Sequence, residues 1–172
     1  PDSMGKVYPE QEYKVVNGEL WIKGDNLMNE YYKDPEATAA VFEDGWFKTG
    51  DLVEFDEDDY IYITGRIKNL IILPNGENVS PEELEELFYK EPMVKDCLVS
   101  EMELNGNAVI GIDILPFEPA CQGMSQDEIK SKMQEITDKI NKELPPFKRI
   151  LKVVVRTEDF KRTGALKIDR NQ

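Results

Sequence analysis

The sequence predicts an α+β fold in two parts: a small, mainly-β N-terminal piece over residues 1–65 and a compact α+β domain over residues 66–172. Three observations carry this. Asn17-Gly18 stands between two short runs of strand-forming residues, as a two-residue hairpin turn requires. Two Ser-x-x-Glu boxes, at Ser80 and Ser125, each open an apolar run of helical period. After Gly65-Arg66 the elements follow as hairpin, helix, two strands, helix and strand, which describes a compact α+β domain. The chain has 172 residues and 40% hydrophobic content, enough for one ordinary domain or two small ones.

In order along the chain, Tyr13-Lys14-Val15-Val16 and Glu19-Leu20-Trp21-Ile22-Lys23 form a hairpin through Asn17-Gly18, because both central residues of a type I′ turn need positive φ. Asp34-Pro35-Glu36 supplies an N-cap, a proline at the first helical position and an early acid, so a short helix runs through Ala37 to Phe42. Glu43-Asp44-Gly45 turns the chain before Trp46-Phe47. Leu52 to Phe55 and Tyr60 to Ile63 flank the acidic turn Asp56 to Asp59 as a second strand pair. Leu70 to Leu73 and Asn78-Val79 make a further hairpin around Pro74-Asn75-Gly76. Ser80 caps a helix with Pro81 at N1 and Glu83 at N3, and Leu84, Leu87 and Phe88 share one face. Strands follow over Asp96 to Val99 and Ala108 to Leu115. Ile129, Met133, Ile136 and Ile140 define a helix from Ser125 that Pro145-Pro146 stops. Leu151 to Val155 reads as a last, buried strand. No internal repeat or low-complexity tract is present.

Composition excludes several functions. There is no histidine, so neither a Ser-His-Asp nor a Cys-His mechanism can be built from this chain alone, and chemistry falls to Lys, Arg, Asp or Glu. A formal net charge of −14 argues against nucleic-acid binding, which needs a cationic surface. Cys97 and Cys121 stand in unrelated contexts without CxxC spacing, which disfavours a disulfide framework or a zinc site. No apolar run of about 18 residues or charged-then-apolar leader occurs. The default expectation is a cytoplasmic setting, or one peripheral to a membrane. Because the chain opens at Pro1 in mid-pattern, it is expected to be a fragment.

Taken singly, Thr49-Gly50-Asp51 or Gly65-Arg66 is a common turn sequence. Together and in order, five segments are specific: Glu19-Leu20-Trp21-Ile22-Lys23-Gly24 with Tyr31-Tyr32, then Asp44 to Asp51, then Gly65-Arg66-Ile67-Lys68-Asn69, then Asn75 to Glu85, and finally Thr163 to Arg170. This series resembles the later motifs of the adenylate-forming, AMP-binding superfamily over nearly the whole chain. Lys68 to Ile72 and the Thr163 to Arg170 ending look most similar to long-chain fatty acid–CoA ligases.

The resemblance implies an enzyme that uses ATP, Mg2+ and coenzyme A to turn a fatty acid or other carboxylate into an acyl-adenylate and then a thioester. It implies that residues 1–65 are the end of a large AMP-binding domain and that residues 66–172 are its mobile lid. Asp51 then accepts hydrogen bonds from the ribose hydroxyls, and Arg66 reaches the nucleotide with its charged fork. Lys68 occupies the hinge. Gly76, Glu77 and Asn78 line the path of the pantetheine thiol, with the glycine allowing close backbone approach. Lys167 stabilises charge on the carboxylate and α-phosphate oxygens. The family usually has glycine before this lysine where Leu166 stands here, and Lys161 is the alternative.

A phosphate loop ending in lysine and the Tyr-Gly-x-Thr-Glu segment are absent from these residues, as is the acyl pocket. The chain alone is therefore expected to be inactive, to need the missing N-terminal part of the protein as its partner, and to expose apolar surface that favours self-association. Two alternatives stand beside the ligase: an adenylation domain that loads a carrier protein, and a non-catalytic interaction module of the same fold.

Overall fold

A computed structural model describes residues 3–170. By contacts the chain divides between Asn69 and Leu70 into two compact units.

The first unit is an antiparallel sheet. Strands β1 (Glu12–Val16) and β2 (Glu19–Lys23) pair through Asn17-Gly18, with φ of 52° and 84°, the double positive φ of a type I′ turn. Helix α1 (Pro35–Val41) starts at Asp34, whose carboxylate accepts the Ala37 N–H at 2.9 Å. Asp44 and Gly45, at φ 50° and 80°, turn β3 (Phe42–Glu43) into β4 (Trp46–Phe55). β5 (Ile61–Arg66) returns along β4. β4 is the hub of the sheet. β2 lies along one edge, and the other is shared by β3 near Trp46 and by β5 from Asp51 to Phe55. Thr49-Gly50-Asp51 thus lies within the strand and does not end it.

The second unit holds a three-stranded sheet in the order β10-β9-β8 and a small two-stranded ribbon. β6 (Ile71–Ile72) and β7 (Asn78–Val79) form the ribbon, and α2 (Pro81–Tyr89) follows β7 directly. β8 (Val94–Leu104) and β9 (Asn107–Pro116) are longer than the apolar runs indicated. Asn105-Gly106, at φ 53° and 80°, joins them by the same turn chemistry as Asn17-Gly18. Helix α3 (Gln126–Glu143) precedes β10 (Lys152–Val155), which pairs parallel to β9.

The core lies between one face of this sheet and the two helices. Val79, Leu84, Phe88, Ile112, Ile114 and Met133 are fully buried there. Leu98, Leu115 and Phe160 make a smaller cluster, against which Ile168 packs. Neither cluster contains a residue of the first unit, where Tyr8, Tyr13, Tyr31, Tyr32, Tyr60 and Tyr62 are exposed.

Two local expectations are corrected. The capping box forms at Ser125 but not at Ser80. The Ser80 hydroxyl contacts Glu82 Oε2 at 3.1 Å, while Glu83, which should reach back to the cap, is drawn to Lys148 Nζ at 2.7 Å. The last strand is a half-buried edge strand rather than a buried one: Val153 and Val155 pack on the core while Val154 is exposed, and among the described residues only β9 pairs with it. No helix among the described residues is long and apolar enough to cross a membrane.

Candidate functional site

The sequence-predicted residues fall into two sets, one in each unit. In the first, Asp51 on β4 stands directly opposite Arg66 on β5. Arg66 Nε lies 2.8 Å from Asp51 Oδ1, yet the N–H is not aimed at that oxygen, which is buried and accepts no hydrogen bond. A buried carboxylate oxygen held beside a guanidinium and lacking a donor suits a hydroxyl that arrives with a ligand. Lys68 follows in the single 3₁₀ turn Ile67–Asn69 and is exposed.

The strand around Asp51 is held by Glu19, a residue that lies in one of the sequence motifs but to which the motif gave no role. Gly50 has φ of +72°, a left-handed kink inside a strand that favours glycine. Its N–H donates to Glu19 Oε1 at 2.8 Å, and Glu19 Oε2 accepts the Trp21 indole N–H at 2.8 Å. Thr49 Oγ1 donates to the Leu20 carbonyl at 2.7 Å and lies 3.1 Å from the Asp51 N–H, which it accepts. Glu19 and Thr49 together fix the kink that aims Asp51. Register shifts in both adjoining pairings, between Glu19 and Trp21 and between Leu52 and Val53, accompany it.

In the second unit, Gly76 at φ +85° closes the β6–β7 ribbon. Its N–H donates to the Leu73 carbonyl at 2.8 Å, Leu73 N–H to Glu77 O at 2.9 Å, and Glu77 N–H to Asn75 Oδ1 at 3.1 Å. A side chain at Gly76 would meet open space, so the backbone conformation is what demands glycine there. Glu77 and Asn78 are exposed.

Lys167 sits on a tight hairpin, and its exposed side chain leaves the backbone held on both arms. Thr163 N–H donates to Lys167 O at 2.8 Å, Leu166 N–H to Thr163 O at 2.9 Å, and Asp169 N–H to Lys161 O at 2.9 Å. Arg162 and Ile168 bridge across it. Leu166 adopts φ of +61° while 76% exposed. The left-handed conformation that glycine takes readily is therefore kept here by a leucine. Lys161 lies on the opposite arm. An open cleft of about 830 Å³ elsewhere in this unit, near Lys95, Cys121 and Arg156, is lined by none of the candidate residues.

Burial shapes the electrostatics of the second unit. It raises the pKa of the Glu85 carboxyl, and the hydrogen-bonded Arg170 works against it. The Cys97 thiol and the Tyr89 phenol are each pushed up to about 12, chiefly by burial. Glu85 was detectable as a charged side chain beside Leu84 and Phe88 on the apolar stripe of α2, the position where burial demands a partner.

An antiparallel sheet followed by an α+β unit is the architecture this chain shares with the C-terminal part of solved adenylate-forming enzymes. Residues 68–172 match the AMP-binding enzyme C-terminal domain. The chain belongs to that family. It is 36% identical over 118 residues to the long-chain-fatty-acid–CoA ligase FadD15 of Mycobacterium tuberculosis, a match covering 67% of this chain and 20% of FadD15. O-succinylbenzoate coenzyme A synthetase (MenE) from Bacillus subtilis, solved in complex with AMP, superimposes with a TM-score of 0.80 at 30% identity, covering 99% of this chain and 35% of MenE. The adenylation domain of a carboxylate reductase from Mycobacterium chelonae gives a TM-score of 0.82 at 27% identity, covering 97% of this chain and 30% of that one. The chain thus spans about a third of these structures.

Proposed function

We propose that this chain is the C-terminal part of an AMP-forming acid–thiol ligase that activates a carboxylate, a long-chain fatty acid by the character of its motifs, with ATP and Mg2+ and transfers it to coenzyme A. The observation that carries the proposal is Asp51, whose buried Oδ1 has a cation 2.8 Å away and no hydrogen-bond donor. A ribose hydroxyl supplies that donor, and Arg66, its side chain about half exposed, extends toward the nucleotide's charge. In this reading residues 1–65 end the nucleotide-binding domain, residues 66–172 form the lid, and Lys68 lies at the hinge between them.

Lys167 supplies a positive charge for the oxygens that gain negative charge as the carboxylate attacks the α-phosphate. The positive φ of Leu166 supports Lys167 over Lys161, because the backbone just before it has the conformation that the family's usual glycine would take. Gly76, Glu77 and Asn78 serve the second half-reaction by lining the approach of the thiol.

The test is pyrophosphate release by the full-length protein with ATP, magnesium and fatty acids of several lengths, comparing wild type with Lys167→Ala. A fall of about 10²-fold or more is expected. An active wild type with an unimpaired mutant moves the role to Lys161. No activity with any carboxylate selects the interaction module. The similarity to a reductase adenylation domain keeps a carrier-protein acceptor as the second reading, and thioester formation with free coenzyme A decides between them.

A further inference from the structure

We propose that Arg170 and Glu85 are positioning residues for Lys167: their paired side chains fix the lysine-bearing hairpin to α2 and to the edge of the sheet, so that hairpin and helix move as one piece. This rests on the assignment of Lys167 to the adenylation step. β8 ends its sheet, and an edge strand leaves backbone N–H and C=O groups without strand partners. At Val99 this pair takes both. Val99 N–H donates to Glu85 Oε1 at 2.8 Å, and Arg170 Nη1 donates to the Val99 carbonyl at 3.3 Å.

The two side chains also lock each other. Arg170 Nη1 donates to Glu85 Oε1 at 3.0 Å and Nη2 to Glu85 Oε2 at 2.6 Å, with Glu82 Oε1 3.3 Å from Nη2. A planar fork meets both carboxylate oxygens at once, which a lysine ammonium cannot do. Glu85 is buried, so removing its counter-charge would leave an uncompensated carboxylate inside the unit.

Arg170 is three residues beyond Lys167, and the far arm of the same hairpin has its own anchor. Arg162 Nη2 donates to Asp96 Oδ2 at 2.6 Å, and Nη1 donates to Leu166 O at 2.9 Å. Between these anchors Ile168 packs on Leu98, Leu115 and Phe160. α2 itself begins directly after the ribbon that bears Gly76, Glu77 and Asn78. The loop assigned to thiol transfer is therefore tied to α2 by the chain, and the loop assigned to adenylation is tied to the same helix by the ion pair.

The test uses Arg170→Lys and Glu85→Gln in the full-length protein and follows the two half-reactions separately: pyrophosphate release from ATP and carboxylate, and thioester formation from preformed acyl-adenylate and coenzyme A. A misplaced charge near the reacting atoms costs on the order of 10²-fold. That loss is expected in the first half-reaction and not in the second. Amide exchange supplies a readout independent of activity. In the Arg170→Lys variant the Thr163, Leu166 and Asp169 amides should lose protection while Ile112 and Ile114 keep theirs. Equal losses in both half-reactions, or unchanged protection of the hairpin, would overturn the proposal. If Lys167→Ala leaves pyrophosphate release intact, the lysine assignment fails and its positioning with it. If Lys167→Ala is impaired and Arg170→Lys is not, the positioning role alone fails.

Discussion

Asp51 is useful at the residue scale because its neighbours leave it incomplete. The Arg66 guanidinium holds its charge without satisfying Oδ1, and Glu19 holds the strand that presents it. Glu19 uses both oxygens as acceptors, one for Gly50 and one for Trp21. Glu19→Gln keeps the shape but replaces one acceptor by a donor facing another donor, which costs about 1–3 kcal/mol when the groups are buried. We expect the variant to raise the KM for ATP and to lose most of the preference for ATP over its 2′- or 3′-deoxy analogues. Steady-state kinetics with the three nucleotides checks this, since a general loss of stability would lower all three rates alike. Thr49-Gly50-Asp51 and Gly65-Arg66 marked Asp51 and Arg66 as candidates, whereas Glu19 opened a motif without being given a role, because that role depends on the β2–β4 register, set by pairing residues far apart in the chain.

Elements follow the same division. Caps and turns are local, and most are written into the residues that form them: Asn17-Gly18, Asp34-Pro35 and Ser125 to Glu128 all do what their chemistry predicts. Ser125 accepts the Glu128 N–H at 3.3 Å, while Glu128 Oε2 accepts the Ser125 N–H at 2.7 Å. Ser125→Ala should therefore cost about 1 kcal/mol of stability, read as a shift in the denaturant midpoint with an unchanged slope. Ser80 has the same spacing, yet its box is open because Lys148, 65 residues away, draws Glu83 aside. A cap motif specifies its partner only while no distant charge competes for it.

For the whole molecule, the second unit owes its stability to a core whose buried groups include ionisable ones. Cys97 contacts the Glu85 carbonyl and is almost fully buried. Its thiol has an ordinary value of 9.0 and is pushed up to about 12 in the fold. An acid whose folded pKa is raised gives stability that is complete below the unfolded value and is lost as pH climbs toward the folded one. The unit should therefore weaken as pH rises above 9.0, before Tyr89, with its ordinary value of 10.0, contributes. Denaturant melts between pH 8 and 10 would show the decline. Cys97→Ala should reduce its slope, with Cys121, also raised by burial, carrying the remainder. A slope unchanged by the substitution would assign the alkaline loss to other groups.

The sequence by itself determined the α+β class and most of the turns and helices, and it marked Asp51, Arg66, Gly76 and Lys167 as candidates. Those features depend on periodicity, capping and positive φ, each settled within a few neighbouring residues. Only the tertiary structure decided that Asp51 keeps an unpaired oxygen, that Leu166 takes a left-handed backbone before Lys167, and that Arg170 closes on Glu85. Each of these needs partners brought together from distant positions, and burial then turns an ordinary charge into one that must find a specific counterpart.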